Sequence, residues 1–453
     1  MPTNARRASR SPEWGAVQIG SAASLIVCAL IALQVRVVGS YWGNWVYAYI
    51  QPVGFSALFV FAIAAAVAIG AVTASADVIH RHEWTIVAGW ALIGVLLQLL
   101  LRSLTPFGFE QIFASNGANA FYSVTLDHRL TDLLADFSRV RLTFPLHPRS
   151  NMPGKLMLVY ALELVSTRPL ALAWLLVLLS NLGGVLLYAF VRDWFADPRA
   201  ALYALVLYLL VPGKLYFLPL LNTVTPTVLF ACAYPFVRWL RTGRRSYAAL
   251  AGISTYGLVL FEPLPLVMAL AFGIAAVTMF RRTGTAVTRF AVDGAVFLLA
   301  FAIVHAAVYW LWGFNAIGAF RDLAAEAVAF NNLEHRRYLI WVWQNLIDFA
   351  VATGVCQSAV FVTMLGTALR GRLTDPLSML CLSLAAVLLV TNLAGVNRGE
   401  VVRLWIFLAC LFQVPAAYVC SRLNGRLAIS LVIATTLLQD AIGTQTIGFI
   451  VPG

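Results

Sequence analysis

Charge is what this chain has least of. Only 11% of its 453 residues are charged, 61% are hydrophobic and the mean hydropathy is +0.85, whereas an ordinary soluble chain carries about 25% charged residues. That excludes a water-soluble globule, and it excludes a disordered chain, which is poor in apolar residues. No cysteine framework is present either: Cys28, Cys232, Cys356, Cys381, Cys410 and Cys420 all lie inside apolar runs without CxxC spacing. This argues against a disulfide scaffold and a thiolate metal site, and leaves them as small core residues. The chain has no Walker A, GxSxG or HExxH sequence and no metal-spaced histidine cluster, so the motifs of nucleotide binding, serine hydrolysis and zinc proteolysis do not apply. The net charge of +12 is scattered over short loops rather than gathered on one face, which argues against nucleic acid as a partner.

What is present is a succession of apolar runs. At roughly 20 residues per crossing, residues 1–453 read as a single transmembrane domain, all-α and polytopic, with no separate soluble domain. Arginine-rich loops (Arg6, Arg7, Arg10; Arg81; Arg192, Arg199; Arg238, Arg241, Arg244, Arg245; Arg281, Arg282, Arg289; Arg370, Arg372; Arg422, Arg426) recur every second crossing and mark the inner side. The register gives spans near 16–38, 53–75, 84–104, 170–191, 200–212, 222–242, 246–261, 264–280, 290–313, 342–368, 376–394, 402–421 and 427–446. About thirteen crossings put the N-terminus in the cytoplasm and the C-terminus outside. The first run lacks a small-residue cleavage site and reads as a retained helix. Residues Gly154 to Ser166 are apolar but too short to cross, and read as re-entrant from the outer side.

Two outer loops stand out, 105–153 and 315–341. In the first, Phe121, Val124, Leu126, Leu130, Leu133 and Leu134 recur at helical spacing opposite Asp127, Asp132 and Asp136, the pattern of a helix lying flat on the interface. Outer loops should be poor in Lys and Arg, yet these hold Arg129, Arg139, Arg141, Arg149, Lys155, Lys214, Arg336, Arg337, Arg398 and Arg403. A bound phosphate head group accounts for them; pairing with outer acids and anionic lipid is the alternative.

Several residues could carry chemistry. Glu110, in TPFGFEQ among Phe107, Phe109 and Phe113, is expected to be partly desolvated and, with a cation nearby, to serve as a general base; it could equally be a helix cap or ion-pair partner. Asp127 is the alternative acid. In FPLHPRSNMPGKLML, Pro153 and Gly154 read as a helix start with Asn151 near its cap, whose free N–H groups and Lys155 would suit an anion. His147 could carry a proton, though a loop histidine is more often packed or solvated. Lys214 and Asn222 in VPGKLYFLPLLNTVTP, and Glu262 in LFEPLPLV, are polar groups at membrane depth, hence functional candidates or each other's partners. In NRGEVVRLW, Glu400 and Arg403 share a face three residues apart and Arg398 precedes them. Arginines at a helix start make sense around a phosphate, or Glu400 simply neutralises Arg403.

The large first outer loop with an acid near its start, PGKLMLVYAL…STRP, VRDWFADPRAALYALVLYLLVP and LNTVTPTVLF resemble the GT-C glycosyltransferases across roughly residues 84–245, with NRGEVVRLW as a later echo. These polytopic enzymes, among them protein O-mannosyltransferases, aminoarabinose transferases and actinobacterial mannosyl- and arabinosyltransferases, take a sugar from a polyprenyl-phosphate carrier on the non-cytoplasmic face. The family usually places Asp, often Asp-Glu, where this chain has Phe109-Glu110-Gln111. The resemblance implies a transferase of cell-envelope biogenesis in a bacterial inner membrane, with its active site outside. Glu110 would be the base and Lys155, Lys214, Arg398 and Arg403 would hold the donor phosphate, with His147, Asn222, Glu262 and Glu400 lining the substrates. Its partners would be membrane lipid, a polyprenyl-phosphate-linked sugar and a lipid or glycan acceptor, with no tightly bound cofactor and a divalent metal left open. A transporter of lipid-linked saccharide or phospholipid is the competing expectation.

Overall fold

A computed structural model describes residues 11–283, 287–371, 375–423 and 426–452. Arg6, Arg7, Arg10 and Arg372 of the inner-side register lie outside the described residues, as do the side chains of Arg281 and Arg282.

The chain is helical almost throughout. Among the described residues eight helices are long and apolar enough to cross a membrane: Pro12–Ala32, Phe55–Val78, Glu83–Arg102, Pro169–Phe195, Pro198–Tyr216, Val287–Trp312, Pro376–Leu393 and Leu427–Thr446. Local chemistry sets their starts. Ser11, Asp197 and Asp375 accept backbone N–H groups of the first turn, each followed by proline at the first helical position, where a missing N–H costs nothing.

The expected span 342–368 is instead two helices, Tyr338–Thr353 and Val355–Arg370, bent by 112°. Gly354 stands between them at φ +100°, a conformation closed to most residues with a side chain. Counted as one broken span, the pair raises the number of candidate crossings to nine. The expected span 402–421 is likewise broken, into Val401–Leu404, Ile406–Leu411 and Gln413–Arg422.

The interfacial helix expected in the first outer loop is broken at His128 and Arg129 into Phe121–Asp127 and Leu130–Ala135. Phe121, Val124, Leu133 and Leu134 are buried as the pattern required, but Leu126 is 63% exposed, because the break rotates the two stripes out of one line. Residues 154–166 give a single helix, Gly154–Glu163. All six cysteines are buried and unpaired.

The chain forms two compact units. The first comprises Met1–Pro106, Gly184–Leu218 and Arg336–Phe449. At its heart is Pro198–Tyr216, 94% buried, apolar all round as a fully enclosed helix should be. Two short antiparallel ladders, Gly39–Ser40 with Trp45–Val46 and Ala48–Tyr49 with Ile447–Gly448, hold the segment between its first two helices. The second unit comprises Phe107–Gly183, Pro219–His335 and Ile450–Gly453. Its core joins the loop residues Phe121, Leu133, Phe137 and Phe144 to Leu156, Val159, Leu172, Tyr256 and Phe261 of the helices, so the segment 105–153 is packed rather than floating.

Candidate functional site

In the second unit, Gly154 approaches the Leu260 carbonyl so closely that a Cβ there would strike backbone. The approach sets Lys155 against the end of the Arg245–Phe261 helix, where Glu262 follows the last turn. Lys155 Nζ lies 3.0 Å from Glu262 Oε2 and donates to Asn151 Oδ1 at 2.8 Å. The Thr225 hydroxyl donates to the same Glu262 oxygen at 2.6 Å. With side chains 1% and 7% exposed, cation and anion match one to one, the condition under which charges tolerate burial. Glu262 is thus the partner of Lys155.

A second carboxylate in this unit is shared. Arg141 Nη1 lies 2.5 Å from Glu326 Oε2 and Arg149 Nε 2.7 Å from Oε1. Burial pushes Glu326 up, but hydrogen bonds from both guanidinium groups outweigh it and hold the carboxyl below its ordinary value.

The remaining candidates of this unit stand apart from these pairs. Glu110, second in the helix Phe109–Ala114, is exposed, which corrects the expectation of a desolvated carboxylate. The phenylalanines turn inward, Phe113 into the core and Phe109 onto Trp174, and Glu110 points away from them. Asp127 closes its helix, also exposed. His147 is half-buried with Nε2 3.1 Å from the Gly117 carbonyl, and Asn222 is half-buried in the turn Leu221–Val224.

In the first unit Lys214 is fully buried, 4.7 Å from the centre of the Tyr208 ring. Arg398, Glu400 and Arg403 do come together. Glycines 395 and 399 and Glu400 itself have positive φ, a run of tight turns that aims the Glu400 carboxylate back over the chain. The helix after it runs only from Val401 to Leu404, too short to supply the helix-terminal field expected there. Charge does the work: Arg403 Nη2 lies 2.5 Å from Glu400 Oε2, and Arg336 Nη2 3.0 Å from Oε1. Arg336 also donates to the Arg398 carbonyl at 2.8 Å, and Arg398 returns a bond to the Arg336 carbonyl at 2.9 Å. The side chains of Arg336, Arg403 and Glu400 are 5%, 15% and 16% exposed.

Sequence reasoning saw Arg336 only as a loop cation and missed two aromatic residues beside it. The guanidinium of Arg336 lies 5.0 Å from the Trp45 ring centre. Trp341 is held between Gly43, whose carbonyl accepts its indole N–H at 2.9 Å, and Gly399. The Trp45 indole N–H and the Tyr47 hydroxyl are buried next to one another. Burial first, then the Asp348 and Glu400 carboxylates, push the Tyr47 phenol well above its ordinary value despite Arg403 and a hydrogen bond with Trp45, so it stays a hydrogen-bond donor. The available signal was SYWGNWVYAY, an aromatic-rich segment with a Gly-Asn turn that suits a hairpin. Among the described residues no group of three or more His, Cys, Asp or Glu could hold a metal ion.

Comparison with known proteins adds little to these residues. No family model matches the chain, and no curated protein does. A solved structure, ArnT from Cupriavidus metallidurans in the apo state, matches over 74% of this chain at 15% identity, with a TM-score of 0.45. The match takes in 60% of that protein's length. A likeness of that size extends to neither activity nor individual residues.

Proposed function

We propose that the chain is a membrane glycosyltransferase of the GT-C kind, moving a sugar from a polyprenyl-phosphate carrier to a hydroxyl of a lipid, glycan or protein acceptor on the non-cytoplasmic face. The observation that supports it is the pair of arginines on one carboxylate, Arg336 and Arg403 on Glu400, with Arg398 beside them and the Trp45 ring against Arg336. Such a cluster favours an anion with several acceptor oxygens, as a phosphate is. In the transfer the acceptor oxygen attacks the anomeric carbon, the bond from that carbon to the phosphate oxygen breaks, and the electron pair leaves with the phosphate. The arginines would stabilise that developing charge, and a carboxylate would take the acceptor proton. The buried Lys155–Glu262 pair serves the scaffold.

Purified protein incubated with radiolabelled polyprenyl-phosphate sugars and membrane lipid extract tests this directly. Transfer is expected, and Glu110→Gln should cut its rate by about 10²–10⁴, the usual cost of losing a general base, with carrier affinity unchanged. If Asp127→Asn is the dead variant instead, the base is Asp127. Carrier binding without transfer in the wild type would overturn the enzyme in favour of a transporter.

A further inference from the structure

One face of the helix Tyr338–Thr353 holds two loops at once. Trp341, Gln344, Asn345 and Asp348 follow the spacing i, i+3, i+4, i+7, which lines them up on a helix, while Trp343 and Ile347 between them are 72% and 47% exposed. The Trp341 indole donates to the Gly43 carbonyl at 2.9 Å, and Gln344 Nε2 to the Val37 carbonyl at 3.1 Å. Asp348 Oδ1 accepts the Gly39 N–H at 3.0 Å and is steadied by Gln344 Nε2 at 2.8 Å. Asn345 faces a different segment. Its Oδ1 accepts the Gly399 N–H at 3.2 Å, and its Nδ2 donates to the Asn397 carbonyl at 2.9 Å.

Those two segments carry the arginine cluster. The hairpin of Gly39–Ser40 and Trp45–Val46 brings the Trp45 ring under Arg336, 5.0 Å away, and the turn through Gly395 and Gly399 brings Arg398 and Glu400. Trp341 is common to both: a Cβ at Gly43 or Gly399 would lie 2.7 or 3.0 Å from its ring. The hairpin ladder pairs only Gly39 with Val46 and Ser40 with Trp45, and a two-stranded ladder of that size does not hold itself together. Asp348 supplies the acceptor for the buried Gly39 N–H, a donor whose bond is costly to leave unmade.

We propose that Asp348 and Asn345 are positioning residues for the phosphate site, Asp348 fixing the hairpin that sets Trp45 against Arg336 and Asn345 fixing the turn that carries Arg398 and Glu400. The ligand rests on the carrier reading given above; the clasp rests on the bonds themselves and lies wholly within the first unit. What Asp348 contributes is an acceptor oxygen at one place, a role that an amide oxygen fills equally and that needs no charge on the carboxyl. Neither residue touches the ligand, and each acts by where it holds the groups that do.

Hydrogen–deuterium exchange and polyprenyl-phosphate binding, measured on the full chain in detergent, test it together. Asp348→Leu should speed exchange across residues 39–46 and weaken carrier binding by about 10–100-fold, the cost known for outer partners of metal ligands. Asn345→Leu should do the same with exchange at 395–400. Asp348→Asn, which keeps the acceptor oxygen, should restore both readouts, and Ile347→Ala, on the exposed side of the helix, should change neither. Because Asp348 acts through Trp45 and Arg336, Asp348→Leu should cost much less binding in an Arg336→Met background than alone, whereas a general loss of stability would cost the same in both. If Asp348→Leu does not fold, Gln344→Leu, which removes the bonds to Val37 and Asp348, carries the same test. Wild-type exchange at 39–46 in the folded variant, equal binding losses in both backgrounds, or Asp348→Asn as impaired as Asp348→Leu overturns the proposal. A wild type that binds no carrier overturns the carrier reading instead, and exchange alone then decides the clasp.

Discussion

Each unit builds one cluster of two arginines on a single glutamate, and the two differ in where the surplus charge goes. In Arg141–Glu326–Arg149 the second arginine is 42% exposed, so water solvates what the carboxylate does not. In Arg336–Glu400–Arg403 both arginines are 15% exposed or less, and Arg336 lies over the Trp45 ring. Stoichiometry alone therefore does not tell the two clusters apart; access to water does. The Lys155–Glu262 pair completes the series, since it is as deeply buried but exactly balanced in charge, and nothing about it asks for a ligand.

The comparison breaks most visibly at the balanced pair. Among the described residues Lys155→Met leaves buried Glu262 the Thr225 hydroxyl as its donor, and should cost about 3–5 kcal/mol, the usual penalty for orphaning a buried charge. Adding Glu262→Gln should return much of that loss. Thermal melts of both variants in detergent give the difference directly. A single variant as stable as wild type would mean that the pair contributes nothing, and the scaffold role assigned to it would fall.

Next in size is the effect on ligand. Arg403→Ala and Arg336→Met should each weaken binding of a polyprenyl phosphate by about 1.5–3 kcal/mol, the range for a charge-assisted hydrogen bond, because each removes one guanidinium from the cluster around Glu400. Arg149→Ala, at the solvated cluster, should leave that affinity unchanged. Equal losses from Arg149 and Arg403 would erase the distinction between the two clusters.

How far this was legible in the sequence depends on range. Scarcity of charge and the length of the apolar runs announced an all-helical membrane protein, and the spacing of Glu400 and Arg403 placed them on one face, since both signals are local. The partner Arg336 lies 64 residues from Glu400, and Glu262 lies far along the chain from Lys155, so folding alone makes those pairs. The bend at Gly354 was hidden because FAVATGVCQSAV stays apolar through it, and hydropathy does not register direction; the glutamines that stabilise the bend come from positions 357, 413 and 439. Glu110 misled for a related reason. Flanking phenylalanines suggest burial, but on a helix consecutive residues face different ways, and an inward face set by Phe109, Ile112 and Phe113 together leaves Glu110 at its edge, exposed.

The smallest effect concerns acid. Because Arg141 and Arg149 hold the Glu326 carboxyl below its ordinary value of 4.5, folding favours its ionised form; the stability this adds is fully present above that value and is lost as pH falls through the lower folded value. Melting temperature should therefore carry a component that declines below pH 4.5 and is missing in Glu326→Gln. The difference should be modest, since a partly exposed pair contributes about 1 kcal/mol or less. High salt should shrink it further, while the tighter cluster at Glu400, screened less by solvent, should respond to salt less. A Glu326→Gln melt that follows the wild-type pH curve throughout would show that the two arginines do not hold this carboxylate, and the contrast between the clusters would then rest on exposure alone.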